Sequence, residues 1–125
     1  MKTIRQKHYI KATPEEVFTA LTNQFTIELW SGYPAVMEPI EDFEFSLFDG
    51  DICGRNLKII PNEQLMQEWY FGESPQQSVV TIILKDRESG TSVTMEQTNV
   101  PDEDAGEFEE GWREYYWGAI KNFFK

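Results

Sequence analysis

The sequence predicts an α+β fold: a curved antiparallel sheet wrapped around one long C-terminal helix, with two short helices after the first strand. Three observations lead there. From Glu107 to Lys125, aromatic residues recur at helical spacing. From Ala35 to Asn99, apolar and polar residues alternate with period two, as in strands that wet one face. Ahead of both, Thr13-Pro14-Glu15-Glu16 is a helix start of the capping-box kind.

Thr3 to Ile10, rich in β-branched and aromatic residues, is the first strand. Thr13 is the expected N-cap, Pro14 the first helical residue and Glu16 the reciprocal partner, with Val17, Phe18 and Leu21 on the apolar face. A second short helix runs from Asn23 to Trp30 with Phe25, Ile27, Leu29 and Trp30 as its apolar content. Ser31-Gly32 and Tyr33-Pro34 break it. Phe43, Phe45 and Leu47 then alternate with Glu44 and Ser46, and Asp49-Gly50 signals a hairpin turn. Ile52 to Ile60 is the next strand, with Leu57 and Ile59 expected inward, and Pro61-Asn62-Glu63 turns the chain. Gln64 to Phe71 places Leu65, Trp69 and Phe71 on one face and Met66, Glu68 and Tyr70 on the other; a loop follows at Gly72-Glu73-Ser74-Pro75. The clearest hairpin joins Val79–Lys85 to Thr91–Thr98 around Ser89-Gly90. Val80, Ile82, Leu84, Val93 and Met95 should face the core, and Thr94, Glu96 and Thr98 water.

Pro101 to Asp104 ends the sheet, and the final helix starts among Asp102, Glu103, Asp104 and Glu107 and closes near Lys121 and Lys125, a polarity that suits the helix dipole. At about 100° per residue, Phe108, Trp112, Tyr115, Tyr116, Ala119 and Phe123 share one arc, with Ile120 at its edge and Glu107, Glu110, Glu114 and Lys121 opposite. Four aromatics on such an arc, each covering roughly 150–250 Å² at roughly 25 cal/mol/Å², are worth on the order of 15–25 kcal/mol as an upper bound. A helix with that face needs a wrapper, and the strands supply it. The arrangement is a helix grip.

A chain of 125 residues is long enough for one domain with a real core. Its net charge of −11 argues against nucleic acid and anionic membrane surfaces, and leaves solubility or a basic protein partner as the use of the acidity. Cys53 is the only cysteine, so no intramolecular disulfide forms. No stretch approaches the ~20 apolar residues of a membrane span, and Met1 to Ile10 holds no apolar run of a signal peptide, so cytoplasm is the expected location.

Few residues offer catalytic chemistry. His8, the only histidine, and Cys53 lie on different strands, and a surface histidine with a small buried thiol is the expectation. A calcium loop starting at Asp49 would need a glutamate where Ile60 stands, and no His/Cys cluster signals zinc. Glu68 and Glu96 alternate outward, and neither a glycine-rich phosphate loop nor a serine elbow is present. No catalytic residue, metal ligand or cofactor is therefore assigned. The aromatics differ in kind. Trp30, Phe45, Trp69, Phe71, Met95, Trp112, Tyr115 and Tyr116 are candidates to line a cavity between sheet and helix, or else simply to pack it. Trp117 and Phe124 fall off the arc near Arg113. They are candidates for a protein contact or dimer patch unless the N-terminal helices cover them. Gly111 and Gly118, each costing about 1 kcal/mol in a helix interior, point to a close approach along one stripe or to tolerance near a frayed end.

Several stretches carry a family likeness. Ile10-Lys-Ala-Thr-Pro-Glu-Glu-Val-Phe, Trp30, Asp49-Gly50, Gly54, the run from Ile60-Pro61 to Glu68-Trp69, and Ser89-Gly90-Thr91 resemble START-like domains of the activator of heat-shock protein 90 ATPase family, within the SRPBCC (Bet v 1-like) superfamily. Gly111-Trp112-Arg113-Glu114-Tyr115-Tyr116 followed by Ile120-Lys121 is similar to the C-terminal domain of the eukaryotic activator. The resemblance implies one START-like domain over residues 1–125. It also implies a co-chaperone-like or stress-related role with a heat-shock protein 90-type chaperone as partner; the off-arc aromatics leave a monomer or weak homodimer as the expected state. In the eukaryotic co-chaperone a separate N-terminal domain precedes this one; with Met1 directly before the first strand, that domain is expected to be missing. Stand-alone members look like carriers or sensors of apolar small molecules in the helix–sheet cavity. A cyclase or hydratase activity, which some helix-grip relatives resemble, is the enzyme alternative.

Overall fold

Thr13 caps the first helix from both directions: its Oγ1 accepts from the Glu16 amide at 3.1 Å while its own amide donates to Glu16 Oε1 at 2.9 Å. The computed structural model describes residues 1–72 and 76–125; of the loop read at Gly72 to Pro75, residues Glu73, Ser74 and Pro75 lie outside the described residues. Strand β1 (Lys2–Ile10) leads to α1 (Pro14–Thr22) and α2 (Gln24–Ser31). Asn23 caps α2 through its side chain at 3.0 Å, and Trp30 Nε1 donates to the Ala20 carbonyl at 2.8 Å, fastening α2 to α1. Residues 32–43 are irregular apart from one bridge, Val36 to Ser46. Then come β2 (Glu44–Leu47), β3 (Ile52–Ile60), β4 (Gln64–Trp69), β5 (Ser78–Arg87) and β6 (Gly90–Val100).

These strands form one antiparallel sheet in the order β1-β6-β5-β4-β3-β2. Successive hairpins build β2 to β6 as a meander, and β1 closes the far edge against β6 with Arg5 opposite Glu96. The β2–β3 turn carries positive φ at Phe48, Asp49 and Gly50, the left-handed turn that Asp-Gly announces. Val80, Ile82, Leu84, Val93 and Met95 are buried on the inner face. On β3 the expected inward pair is displaced. Gly54 and Asn56 are the buried residues there, because a bulge between Asn56 and Lys58 breaks the alternation; Leu57 and Ile59 are half-buried. A Cβ on Gly54 would collide with the Glu68 carbonyl and stand 2.8 Å from the Phe45 ring, so only glycine lets β3, β4 and β2 close together here.

The terminal helix begins at Asp102 and ends at Phe123, but it is not one α-helix. α3 (Asp102–Gly111) passes into a π-helical turn at Trp112–Trp117 and back into α4 (Gly118–Phe123). Within the π turn the Gly118 amide donates to the Arg113 carbonyl, five residues back. The wider turn inserts one extra residue and rotates everything after it. Trp117, expected off the arc as a protein-contact candidate, is fully buried, and Tyr115, expected on the arc, is 67% exposed. The same slip leaves Phe123 exposed and turns Phe124 to the core, while Ile120 moves from the arc edge to full burial. Gly118 is where the turn needs a glycine, because a Cβ there would sit 2.7 Å from the Arg113 oxygen. The close approach suspected along the Gly111–Gly118 stripe is thus the helix's own carbonyl at Gly118, and Gly111 meets open space.

Candidate functional site

Trp69 on β4 and Trp112 on the π turn stack with ring centroids 4.6 Å apart and planes 18° from parallel. Each indole is tied to the sheet. Trp112 Nε1 donates to Gln97 Oε1 at 2.7 Å, Gln97 Nε2 donates to Ser78 Oγ at 3.2 Å, and Ser78 Oγ donates to the Thr98 carbonyl. Trp69 Nε1 donates to Gln67 Oε1 at 3.0 Å; Gln67 Nε2 donates to Asn56 Oδ1, whose amide donates to the carbonyls of Glu38 and Ile40. Gln67, Gln97, Asn56 and Ser78 are all buried. Two satisfied polar chains thus fix the depth and tilt of two tryptophans. None of these four residues belongs to the expected site, although Gln67 and Gln97 stand at core-facing positions of their strands. A polar residue in an inward period-two slot was the signal.

Above this pair the terminal helix and the sheet leave a groove of about 550 Å³. Tyr115 and Tyr116 line it with Trp69, Trp112 and Phe108; Phe48 from the β2–β3 turn, Ile52 at the start of β3 and Tyr33 from the segment after α2 complete the apolar wall. Asp51, Glu107 and Glu114 stand among the lining residues. Of the eight cavity candidates, Trp69, Trp112, Tyr115 and Tyr116 meet at this groove. Trp30, Phe45 and Met95 belong to the closed core, and half-buried Phe71 packs on Phe108 with centroids 4.9 Å apart. Tyr116 and Trp30 meet in an edge-on arrangement with centroids 5.1 Å apart, and burial pushes the Tyr116 phenol well above the usual range.

On the other side of the helix, Trp117 stacks on His8 at 5.7 Å and on Trp112 at 6.0 Å. It is therefore not available to the surface as a contact residue. His8 of β1 lies against it. Its Nε1 is buried with no hydrogen-bond partner among the described residues. Arg113 stays exposed and pairs with Glu109 at 3.6 Å. His8 is half-buried rather than a surface residue. Its pKa is pulled down to about 4 by burial, with the charges of Lys121 and Arg113 adding to the effect. The neutral ring accepts from Lys121 Nζ at Nδ1 and donates from Nε2 to Gln6 Oε1, each at 2.8 Å. Gln6 Nε2 then donates to the Glu109 carbonyl at 2.8 Å, where the helix enters its π turn. Cys53, expected buried, is exposed on β3, with three strands between it and β1. Glu68 is held by Arg55 and Gln77, and Glu96 by Arg5. Among the described residues no group of three or more His, Cys, Asp or Glu side chains converges as a metal site, and no helix is long and apolar enough to cross a membrane.

The family model described as Activator of Hsp90 ATPase homolog 1-like protein matches residues 11–125. The human Activator of 90 kDa heat shock protein ATPase homolog 1 is 27% identical over 123 residues, covering 97% of this chain and 36% of that protein. The corresponding Dictyostelium discoideum homologue is 27% identical over 126 residues, covering 98% of this chain and 33% of that protein. The chain thus spans about a third of the length of these curated relatives. Among solved structures, an HSP90 activator from Plasmodium falciparum superposes with a TM-score of 0.90 at 22% identity, covering 98% of this chain and 96% of that one. The Aha1 dimer from Colwellia psychrerythraea does so with a TM-score of 0.86 at 20% identity, over 99% and 96% of the respective chains. At those identities the likeness is one of fold.

Proposed function

The chain belongs to the Activator of Hsp90 ATPase homolog 1-like family, and from that premise we propose that it is a non-enzymatic binding domain that docks on a heat-shock protein 90-type chaperone and raises its ATPase rate. The observation that carries this reading is the family match over residues 11–125, extended by the full-length superposition on an activator fold. Supporting the non-enzymatic part, His8 has both ring nitrogens engaged, and Glu68 and Glu96 are tied to arginines. The domain works in the cytoplasm beside that chaperone, as a monomer or weak homodimer. Titration of the purified chain against the Hsp90 of its own cell, with ATPase turnover as readout, tests it. Saturable binding with a raised rate is expected; no binding and an unchanged rate would refute it.

The groove favours a second reading, in which the same domain carries an apolar ligand. Its volume falls in the roughly 300–1,000 Å³ range of small-molecule sites, and its wall is mostly aromatic. Native mass spectrometry of the purified chain and tryptophan fluorescence with added decyl maltoside test it through Trp69 and Trp112. Unbound mass together with an unchanged spectrum would reduce the groove to surface relief.

A further inference from the structure

We infer that the groove accepts a basic–apolar peptide segment of a protein partner, with an arginine or lysine flanked by apolar side chains. This rests on the reading of the groove as a binding site and specifies its occupant. The wall offers aromatic area: the stacked Trp69–Trp112 pair at the floor, Phe48 on one side and the exposed ring of Tyr115 at the lip. Set into that wall are Asp51, Glu107 and Glu114, and no lysine, arginine or histidine is among the described residues that line it.

None of these three carboxylates takes part in an ion pair among the described residues. Every ion pair among the described residues uses a different carboxylate: Asp102, Glu96, Asp42, Glu68 and Glu109. The groove acids come from two elements that sequence separates widely, the β2–β3 turn and the terminal helix, and the fold brings them to one opening with no internal cation to neutralise them. Aromatic faces and carboxylates attract the same charge, the first through the ring quadrupole and the second directly. The chain's net charge of −11 steers such a ligand in and steers anions away. A fatty acid or a phosphate headgroup would place its negative end against these carboxylates. The apolar side chains of a peptide would cover the indoles while its guanidinium or ammonium group met Glu107, Glu114 or Asp51. The groove is larger than one side chain needs and open along the helix, which suits a segment of chain.

The test uses the intact protein and three octapeptides with leucine and phenylalanine at the same positions, carrying arginine, glutamine or glutamate between them. Decyl maltoside serves as an uncharged probe of the groove itself. Binding is followed by tryptophan fluorescence and by amide shifts at Ile52, Trp112 and Tyr115, at low and at high salt. The arginine peptide should bind about tenfold more tightly than the glutamine peptide at low salt, the glutamate peptide should bind most weakly, and the preference should shrink at high salt. The pair Glu107→Gln and Glu114→Gln should remove the arginine peptide's advantage over the glutamine peptide, and a retained advantage would overturn the inference. Equal affinity for all three peptides would overturn the inference while leaving the groove a binding site. Silence of every peptide with decyl maltoside bound would overturn it in favour of a small-molecule site. Silence of all four probes would overturn the groove reading as well. Self-association that occupies the groove, seen by sedimentation, would also overturn it by making a second copy the occupant.

Discussion

Alanine in place of Gly118 should destabilise the protein, against the usual rule for a helix interior. Gly→Ala at an ordinary interior helical position gains up to about 1 kcal/mol. At Gly118 the added Cβ would lie 2.7 Å from the Arg113 oxygen. Comfortable C···O contacts are about 3.3 Å or longer, so the π turn would have to open by roughly 0.6 Å or revert to α geometry. Opening costs about 1–3 kcal/mol on the scale of overpacked interiors. Reversion would expel Trp117 from between His8 and Trp112. After subtracting the helix gain, a net loss of up to about 2 kcal/mol remains. Gly106 and Gly111 stand in the same helix with nothing within 4 Å of their virtual Cβ atoms, so alanine there should be neutral or stabilising. For a chain of 125 residues, about 0.26 kcal/mol/K of unfolding entropy turns a 2 kcal/mol loss into a fall in Tm of about 8 °C. Urea unfolding followed by tryptophan fluorescence compares the three variants. A Gly118→Ala protein as stable as Gly106→Ala would refute the reasoning, for it would mean that the π turn does not depend on this glycine.

Three further outcomes follow from the site. Tyr115→Ala, at an exposed lip, should change stability by less than about 0.5 kcal/mol, whereas Trp112→Ala, at the buried floor, should cost about 3–5 kcal/mol; calorimetry separates the lip of the groove from its floor. Gln97→Leu should cost about 1–3 kcal/mol, because it strands the Trp112 N–H in a buried site; a neutral result would mean that water reaches the indole. His8 has a folded pKa of about 4 against 6.5 for the free side chain, so the unfolded state binds more protons between those values. Stability should fall as pH drops from about 6.5 toward 4, and His8→Asn should flatten that part of the profile relative to the parent chain; parallel profiles would remove His8 from the account.

What the sequence disclosed was whatever short-range chemistry decides. The Thr13–Glu16 box, the Asn23 cap, the Asp-Gly turn and the alternation in β5 and β6 are local signals, and each sits in the structure where its pattern puts it. The errors arise where one residue is inserted. The π turn shifts the helical wheel by a position, which exchanges Tyr115 with Trp117 and Phe123 with Phe124 between surface and core. The bulge at Leu57 does the same to a strand. Regular periods contain no term for an insertion, and the glycine at 118 was the single trace of one. The groove was half legible. Its aromatic members on β4 and the helix follow from pattern, but Asp51 and Tyr33 reach it only through the tertiary closure of segments far apart in the chain.

The strand order has a consequence for how the molecule assembles. β2 to β6 pair with sequence neighbours, whereas Arg5 must find Glu96, 91 residues away. Closing that span rather than a hairpin of about ten residues costs roughly 2 kcal/mol more in chain entropy. The β1–β6 pairing therefore carries the largest loop-closure cost in the sheet. Yet β1 carries His8, which covers Trp117, and Gln6, which holds the Glu109 carbonyl at the mouth of the π turn. The unusual turn is locked by the strand whose sheet partner lies furthest away in sequence, so its register rests on the longest-range pairing in the sheet.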